Sequence, residues 1–86
     1  MKNRRRALGL IDRDLWEARR VLDSVARKIR DARFHVKRNL FRVGHALVDI
    51  FDIQEEIHRK RPDLIPAYLR GTEYEKRMLS NSSYAG

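Results

Sequence analysis

Apolar residues recur at alternating spacings of three and four between Leu8 and Ile57. Fourteen of the fifteen positions that this spacing selects are apolar, and the exception is Asn39. A 3-4 repeat held over seven heptads is typical of a long helix that buries a narrow stripe against another helix. The sequence therefore predicts an all-α fold built around one long heptad-patterned helix over about residues 10–60.

Few signals interrupt this helix before its end. Gly44 costs about 1 kcal/mol relative to alanine, which a long helix tolerates. Pro62 ends the helix, because proline forces the preceding residue, Arg61, out of the helical region. Thr72 and Glu75 have the spacing of a capping box, which predicts a further short helix. The predicted organisation is a basic N-terminal arm over residues 1–9, a coiled-coil-type helix over 10–61, one or two short helices over 62–79 and a flexible polar tail over 80–86.

The stripe favours an antiparallel partner. If Leu8 is position a of the heptad, the a positions are large and several d positions are small, so antiparallel helices fill space best. In a homodimer centred near residues 37–38, Lys28 faces Asp49 of the partner subunit, and the Asn39 amide lies at the centre, where it fixes the register. The expected oligomer seam is formed by Leu15, Leu22, Val25, Ile29, Val36, Asn39, Val43, Ile50, Ile53 and Ile57.

Two other arrangements would bury the same stripe. The chain could fold back near residues 37–38 into an intrachain hairpin, or more than two helices could form a bundle. The hairpin has weak local support, because residues 34–40 contain neither glycine nor proline. We favour the antiparallel homodimer.

Composition agrees with self-association. The chain has 86 residues and no cysteine, so disulfides and thiolate metal sites are excluded. A single copy of this size has difficulty burying enough surface to fold without such staples. The richest apolar run is too short to span a bilayer. We expect a cytoplasmic protein, or one associated with a nucleoid or a virion.

The net charge of +8 is unevenly distributed. Residues 1–42 hold 14 Lys or Arg and 5 Asp or Glu, whereas residues 43–86 hold 6 and 7. Most of the cations are arginines, whose planar guanidinium suits phosphate oxygens. A basic half points to a polyanion, with nucleic acid first and an anionic membrane surface second. The candidate nucleic-acid-binding residues are Arg19, Arg20, Arg27, Lys28, Arg30, Arg33, Lys37, Arg38 and Arg42.

These cations lie outside the stripe and would form a basic belt around the dimer centre. Such a belt binds phosphates with strongly salt-dependent affinity and little base discrimination. We therefore expect a small homo-oligomer that binds nucleic acid in an architectural or regulatory role. The alternative is a protein-binding adaptor or small inhibitor that docks a basic and aromatic face on an acidic protein. The simplest interpretation is a solvated face whose arginine stems cover apolar surface.

Other chemistry has little support in the sequence. Glu55 and His58 have the Glu-x-x-His spacing of di-iron bundles, but both fall outside the stripe, and we interpret them as part of an acidic surface. Ser24 and the serines of the tail have no histidine or carboxylate placed by a known motif. We expect no enzyme activity, cofactor or metal site. Trp16 also lies outside the stripe, and we expect the C-terminal segment to cover it.

Overall fold

The computed structural model describes the backbone of residues 2–85 and the side chains of residues 4–80. Helix α1 spans Lys2–Ala32, helix α2 spans Val36–Lys60, and helix α3 spans Glu73–Ala85. Two 3₁₀ turns, Pro62–Leu64 and Ala67–Leu69, connect α2 to α3. The prediction of an all-α fold is confirmed. Within the described residues, none of the helices combines the length and the apolarity that crossing a bilayer requires.

The predicted single helix is corrected to two helices. The chain reverses between α1 and α2, so the stripe pairs with itself in an antiparallel hairpin. The reversal lies a few residues before the fold-back point considered for a hairpin. Helix α1 also begins at Lys2, so the predicted N-terminal arm is helical. Pairing between copies of the chain stays a prediction.

The reversal is a Schellman motif, which ends a helix with one residue in the left-handed conformation. The N–H of Phe34 donates to the carbonyl of Ile29, and the N–H of Arg33 donates to that of Arg30, both at 3.1 Å. Arg33 has φ 53° and His35 has φ 39°. Left-handed backbone costs a non-glycine residue about 1–2 kcal/mol. The turn therefore forms without the glycine that would have signalled it.

Asn39 holds this turn through side-chain hydrogen bonds within the chain. Its side-chain amide donates to the carbonyl of Phe34 at 3.0 Å, and its side-chain oxygen accepts from Arg42 at 3.1 Å. A carbonyl just outside a helix needs a donor from elsewhere, and the buried Asn39 side chain provides it. The expected role of Asn39 at a dimer centre is thus replaced by a role within the chain.

The hairpin uses one half of the predicted seam. The a positions face the other helix: Leu15, Leu22, Ile29, Val36, Val43 and Ile50 are half-buried, and Ile57 is buried. Apart from Asn39, which is buried at the turn, the d positions are turned partly outward, and Val25 and Ile53 remain 36% and 43% exposed. One row of the heptad therefore lies inside the hairpin and the other lies along its side.

The two ends of the hairpin differ in whether the C-terminal segment packs on them. We call residues 4–19 and 51–80 the base, and residues 20–50 the distal half. The seven buried residues among the described side chains are Asp12, Asn39, Gln54, Ile57, His58, Ile65 and Met78. Only Asn39 belongs to the distal half. The third helix packs on α2, and among the described side chains its contacts lie at the base.

The C-terminal segment covers Trp16, as expected. The Tyr68 ring meets the Trp16 ring edge-on with centroids 6.5 Å apart.

At the start of α3 the Glu75 carboxylate accepts the backbone N–H of Gly71 at 2.8 Å. This hydrogen bond lowers the pKa of Glu75, and the nearby Arg70 lowers it further. The glutamate of the predicted capping box is therefore used, but it accepts from the N–H of Gly71 and not from that of Thr72.

Candidate nucleic-acid interface

Most of the excess positive charge lies at the closed end of the hairpin. Residues 27–42 hold seven Lys or Arg and one Asp, which amounts to +6 of the net charge of +8. The molecule is 47 Å long, and the turn between the helices places this stretch at one end. The belt that was predicted around a dimer centre is therefore a cap on the end of a hairpin.

Six of the nine candidate residues form one set, which we call the cationic tip. Its members are exposed, and none of them has an ion-pair or side-chain hydrogen-bond partner among the described side chains. They are Arg27, Lys28, Arg30, Arg33, Lys37 and Arg38. Unpaired like charges held close together repel one another and attract counterions.

Arg19 belongs to the base and packs within it. Its guanidinium lies over the Trp16 ring at 4.1 Å and over the Phe51 ring at 4.4 Å. It also donates to the side-chain oxygen of Gln54 at 3.0 Å. A guanidinium held between two rings contributes packing and cation–π attraction within the protein. The structure separates Arg19 from the cationic tip, and its prediction as a phosphate contact is not supported by this placement.

Arg20 and Arg42 have partners of their own. Arg20 forms an exposed ion pair with Glu17, and this hydrogen bond raises the pKa of Arg20 and lowers the pKa of Glu17. The charge of Arg20 is thus largely compensated one helical turn away. Arg42 donates to Asn39 and is exposed at the edge of the tip.

Two exposed phenylalanines accompany the tip, although the sequence analysis did not include them among the site residues. Phe34 is 59% exposed and Phe41 is 68% exposed. The Phe34 ring lies 5.3 Å from the His35 ring, and the Phe41 ring lies 4.6 Å from the His45 ring. The C-terminal segment packs at the base and leaves both rings open. In the sequence, their exposure was indicated by positions that fall outside the stripe.

The base holds a polar network that the sequence analysis missed. The carboxylate of Asp12 lies 3.0 Å from His58 Nε2 and accepts from the Gln54 amide at 3.2 Å. His58 Nδ1 lies 2.5 Å from the Tyr74 hydroxyl, and Gln54 in turn accepts from Arg19. His58 was interpreted as a surface residue because it falls outside the stripe, but it is fully enclosed. The network joins α1, α2 and α3.

The protonation of this network fits a structural role. Burial, and secondarily the negative charges of Glu55 and Asp12, raise the pKa of Tyr74 to about 12. The Tyr74 phenol therefore keeps its proton. Its hydroxyl and the Asp12 carboxylate lie within hydrogen-bond distance of the two ring nitrogens of His58, so both nitrogens have a partner. A phenol with a raised pKa is a poor nucleophile.

An open pocket of about 300 Å³ lies beside the network, between the hairpin and the C-terminal segment. Its lining residues are Trp16, Arg19, Phe51, Gln54, Glu55, His58, Tyr68, Leu69, Tyr74 and Arg77. Most of their polar groups already pair with one another, and Glu55 binds both Arg59 and Arg77. Among the residues that the structure describes, no group of three or more His, Cys, Asp or Glu side chains is placed to hold a metal ion.

Comparison with known proteins gives no relative for this arrangement. The chain matches no protein-family model, no curated protein and no solved structure.

Proposed function

We propose that the protein binds nucleic acid through phosphate contacts made by the cationic tip, without strong sequence specificity and without enzymatic activity. The observation that carries the proposal is the set of six exposed cations that lack a partner within the described side chains. Cations that already pair with a carboxylate must break that pair before they bind phosphate. The six tip residues carry no such cost.

The shape of the tip favours backbone contacts over base contacts. Two helices packed with axes 8–10 Å apart make a surface roughly 20 Å wide. The major groove of B-form DNA is about 12 Å wide and admits a single helix. A tip of this width rests across the phosphates of the groove edges. The role that fits is architectural or regulatory, such as coating, bridging or packaging.

Backbone strain at the tip also supports the proposal. Arg33 occupies the left-handed position that glycine usually takes in a Schellman motif. Glycine there would relieve the strain but would remove a guanidinium from the end of the hairpin. Strained backbone concentrates at functional sites, and the side chain gained here is a phosphate-binding one.

Binding should depend steeply on salt. If about six phosphates are neutralised, the logarithm of the affinity for duplex DNA falls with the logarithm of salt concentration with a slope of about −5. Fluorescence anisotropy with a labelled random duplex and a labelled single strand, each at several salt concentrations, measures this slope. Absence of binding to both at low salt would remove the proposal.

Charge reversal tests whether the tip is the binding surface. The tip variant changes four arginines to glutamate: Arg27, Arg30, Arg33 and Arg38. The control changes four exposed cations of the base to glutamate, so that its net charge equals that of the tip variant: Arg4, Arg6, Arg13 and Lys60. We expect the tip variant to lose binding at moderate salt and the control to keep most of it, with equal helicity by circular dichroism. Equal losses would mean that net charge alone governs binding and that the tip is not the site.

The second candidate function is an adaptor or small inhibitor that docks on an acidic protein. The exposure of Phe34 and Phe41 favours it, because protein interfaces are built around buried aromatic and arginine side chains. Changing both phenylalanines to alanine should leave duplex DNA binding nearly unchanged if phosphate contacts dominate. A protein that binds an acidic protein but no nucleic acid at low salt would favour this second function.

We also propose that the chain associates with itself, as a homodimer or higher oligomer. The support is that the d positions of the heptad stay partly exposed after the hairpin has formed. Ile11, Val25 and Ile53 are between 36% and 45% exposed. Sedimentation velocity over a range of protein concentrations tests this directly.

A further inference from the structure

One side of the hairpin carries a row of apolar residues from the base into the distal half, and none of the described residues of the C-terminal segment covers it. The C-terminal segment covers the opposite side, where Trp16, Glu55 and His58 meet Tyr68, Arg77 and Tyr74. The uncovered side presents the d positions of both helices, and we call it the open face. Its apolar members are Ile11, Ala18, Val25, Ala46 and Ile53. Near the base, Ile11 and Ile53 line a groove of about 220 Å³ together with Leu8 and Ile57.

We infer that the open face binds the open face of a second copy, with the tip of each hairpin over the base of the other. The inference rests on the self-association proposed above, and it names the surface and the orientation. The product is an antiparallel four-helix bundle of two chains. Small residues at Ala18 and Ala46 let the helices approach closely near the middle of the face.

The charges beside the open face select the orientation. The g positions of the heptad flank the d positions, and five of them are charged and exposed. Those nearer the base are acidic, namely Asp14, Asp49 and Glu56. Those nearer the tip are basic, namely Lys28 and Arg42. In tip-over-base pairing, Asp14 and Glu56 of one copy face basic positions of the other, and Asp49 alone faces its own counterpart at the axis. Tip-over-tip pairing brings like charges together at both ends of the face.

The pairing is self-complementary, as a two-fold axis requires. In this orientation α1 packs antiparallel against α1 of the second copy, and α2 packs antiparallel against α2 of the second copy. Asp14 then faces Lys28 of the partner subunit across an axis near Val21, which is the g position midway between them. Glu56 faces Arg42 of the partner subunit across an axis near Asp49. Val21 and Asp49 lie at the same level along the hairpin, so a single two-fold axis relates both pairs of helices.

The area of the open face is sufficient for a stable dimer. Helix α2 has 25 residues and is about 37 Å long. Two helices side by side present a face roughly 20 Å wide. This face can bury about 700 Å² on each partner, close to the roughly 800 Å² of a standard specific interface.

Two matched variants test the surface. Val25 lies on the open face, whereas Val48 lies on the outside of the hairpin and is 52% exposed. We expect the wild-type chain to sediment as a dimer, Val25→Glu to raise the dissociation constant about thirtyfold or more, and Val48→Glu to leave it nearly unchanged. Circular dichroism checks that both variants stay helical.

The possible failures are distinguishable. A wild-type chain that is monomeric at every concentration overturns both the self-association and this inference. A dimer that survives Val25→Glu but dissociates with Val48→Glu overturns the surface and leaves self-association standing.

Disulfide trapping tests the orientation, because the natural chain has no cysteine. Proteins carrying Asp14→Cys and Lys28→Cys are mixed and oxidised, and mass spectrometry identifies the linked peptides. Tip-over-base pairing predicts a disulfide between these two variants. Tip-over-tip pairing predicts one between Lys28→Cys and Arg42→Cys instead, and that result would overturn the orientation. Each protein carries one cysteine, so every disulfide observed joins two copies.

Discussion

The base and the distal half are built from the same two helices, but they differ in what surrounds them. At the base, the C-terminal segment adds a third layer and encloses Met78, Ile65 and a polar network centred on His58. In the distal half, the described side chains show two helices packed on each other without a third, and Asn39 at the turn is the one buried residue among them. Two helices half-bury the apolar residues between them, and the fully buried apolar side chains lie where a third layer is added.

This difference separates stability from function along one molecule. Burial of apolar side chains and satisfied polar groups supplies most of the stability, and both are concentrated at the base. The distal half carries the unpaired cations, the strained turn and the exposed phenylalanines, all of which reduce stability in isolation. The base therefore offsets the lower stability of the distal half, where we propose that a partner binds.

The largest expected effect comes from breaking the base network. His58→Ala leaves the Asp12 carboxylate enclosed with fewer donors and leaves the Tyr74 hydroxyl without its acceptor. We expect a loss of about 3 kcal/mol in the free energy of unfolding. The measurement is urea unfolding followed by circular dichroism at a fixed protein concentration.

The control for this change is His45→Ala in the distal half. His45 is exposed and contacts the Phe41 ring, so we expect its loss to change stability by less than about 0.5 kcal/mol. If both alanine variants lost the same stability, the contrast between the covered base and the bare distal half would be wrong.

The helical content of the chain and the C-terminal end of α2 were predictable, because local rules determine them, whereas the start of α1 and the break between α1 and α2 were not. Pro62 lies outside α2, which ends at Lys60. The heptad spacing identified the a positions, which lie between the helices, and six of the nine candidate cations lie at the tip. These signals depend on spacing and on residue type, and both can be read from the chain.

The turn and the network could not be predicted in the same way. Arg33 and His35 adopt left-handed backbone without being glycine, so no residue marked the reversal. Tertiary packing of the two helices outweighs the local strain. The network escaped notice because Asp12 and His58 fall beside the stripe, where a helix pair leaves residues exposed. The C-terminal segment, which packs there, encloses them.

A smaller effect distinguishes the turn from the helix beside it. Arg33→Gly relieves the left-handed strain, and we expect it to raise the free energy of unfolding by about 1 kcal/mol. Arg27→Gly places the same residue inside α1, where it should lower the free energy of unfolding by about 1 kcal/mol. Both variants lose one tip cation, so nucleic-acid affinity should fall similarly in both. Effects of the same sign on stability would contradict the assignment of strain to Arg33.

The smallest effect is the dependence of base stability on alkaline pH. The pKa of Tyr74 rises from 10.0 to about 12 in the folded chain. A group whose pKa is raised by folding contributes its stabilisation below the unfolded pKa and loses it as the pH rises through the folded pKa. Stability should therefore decline between pH 10 and about 12, by under about 1 kcal/mol because solvent screens this half-buried group. Urea unfolding of Tyr74→Phe should lack this component, whereas Tyr68→Phe, which changes an exposed ring, should retain it. A wild-type decline that Tyr74→Phe leaves unchanged would assign the alkaline loss to another group.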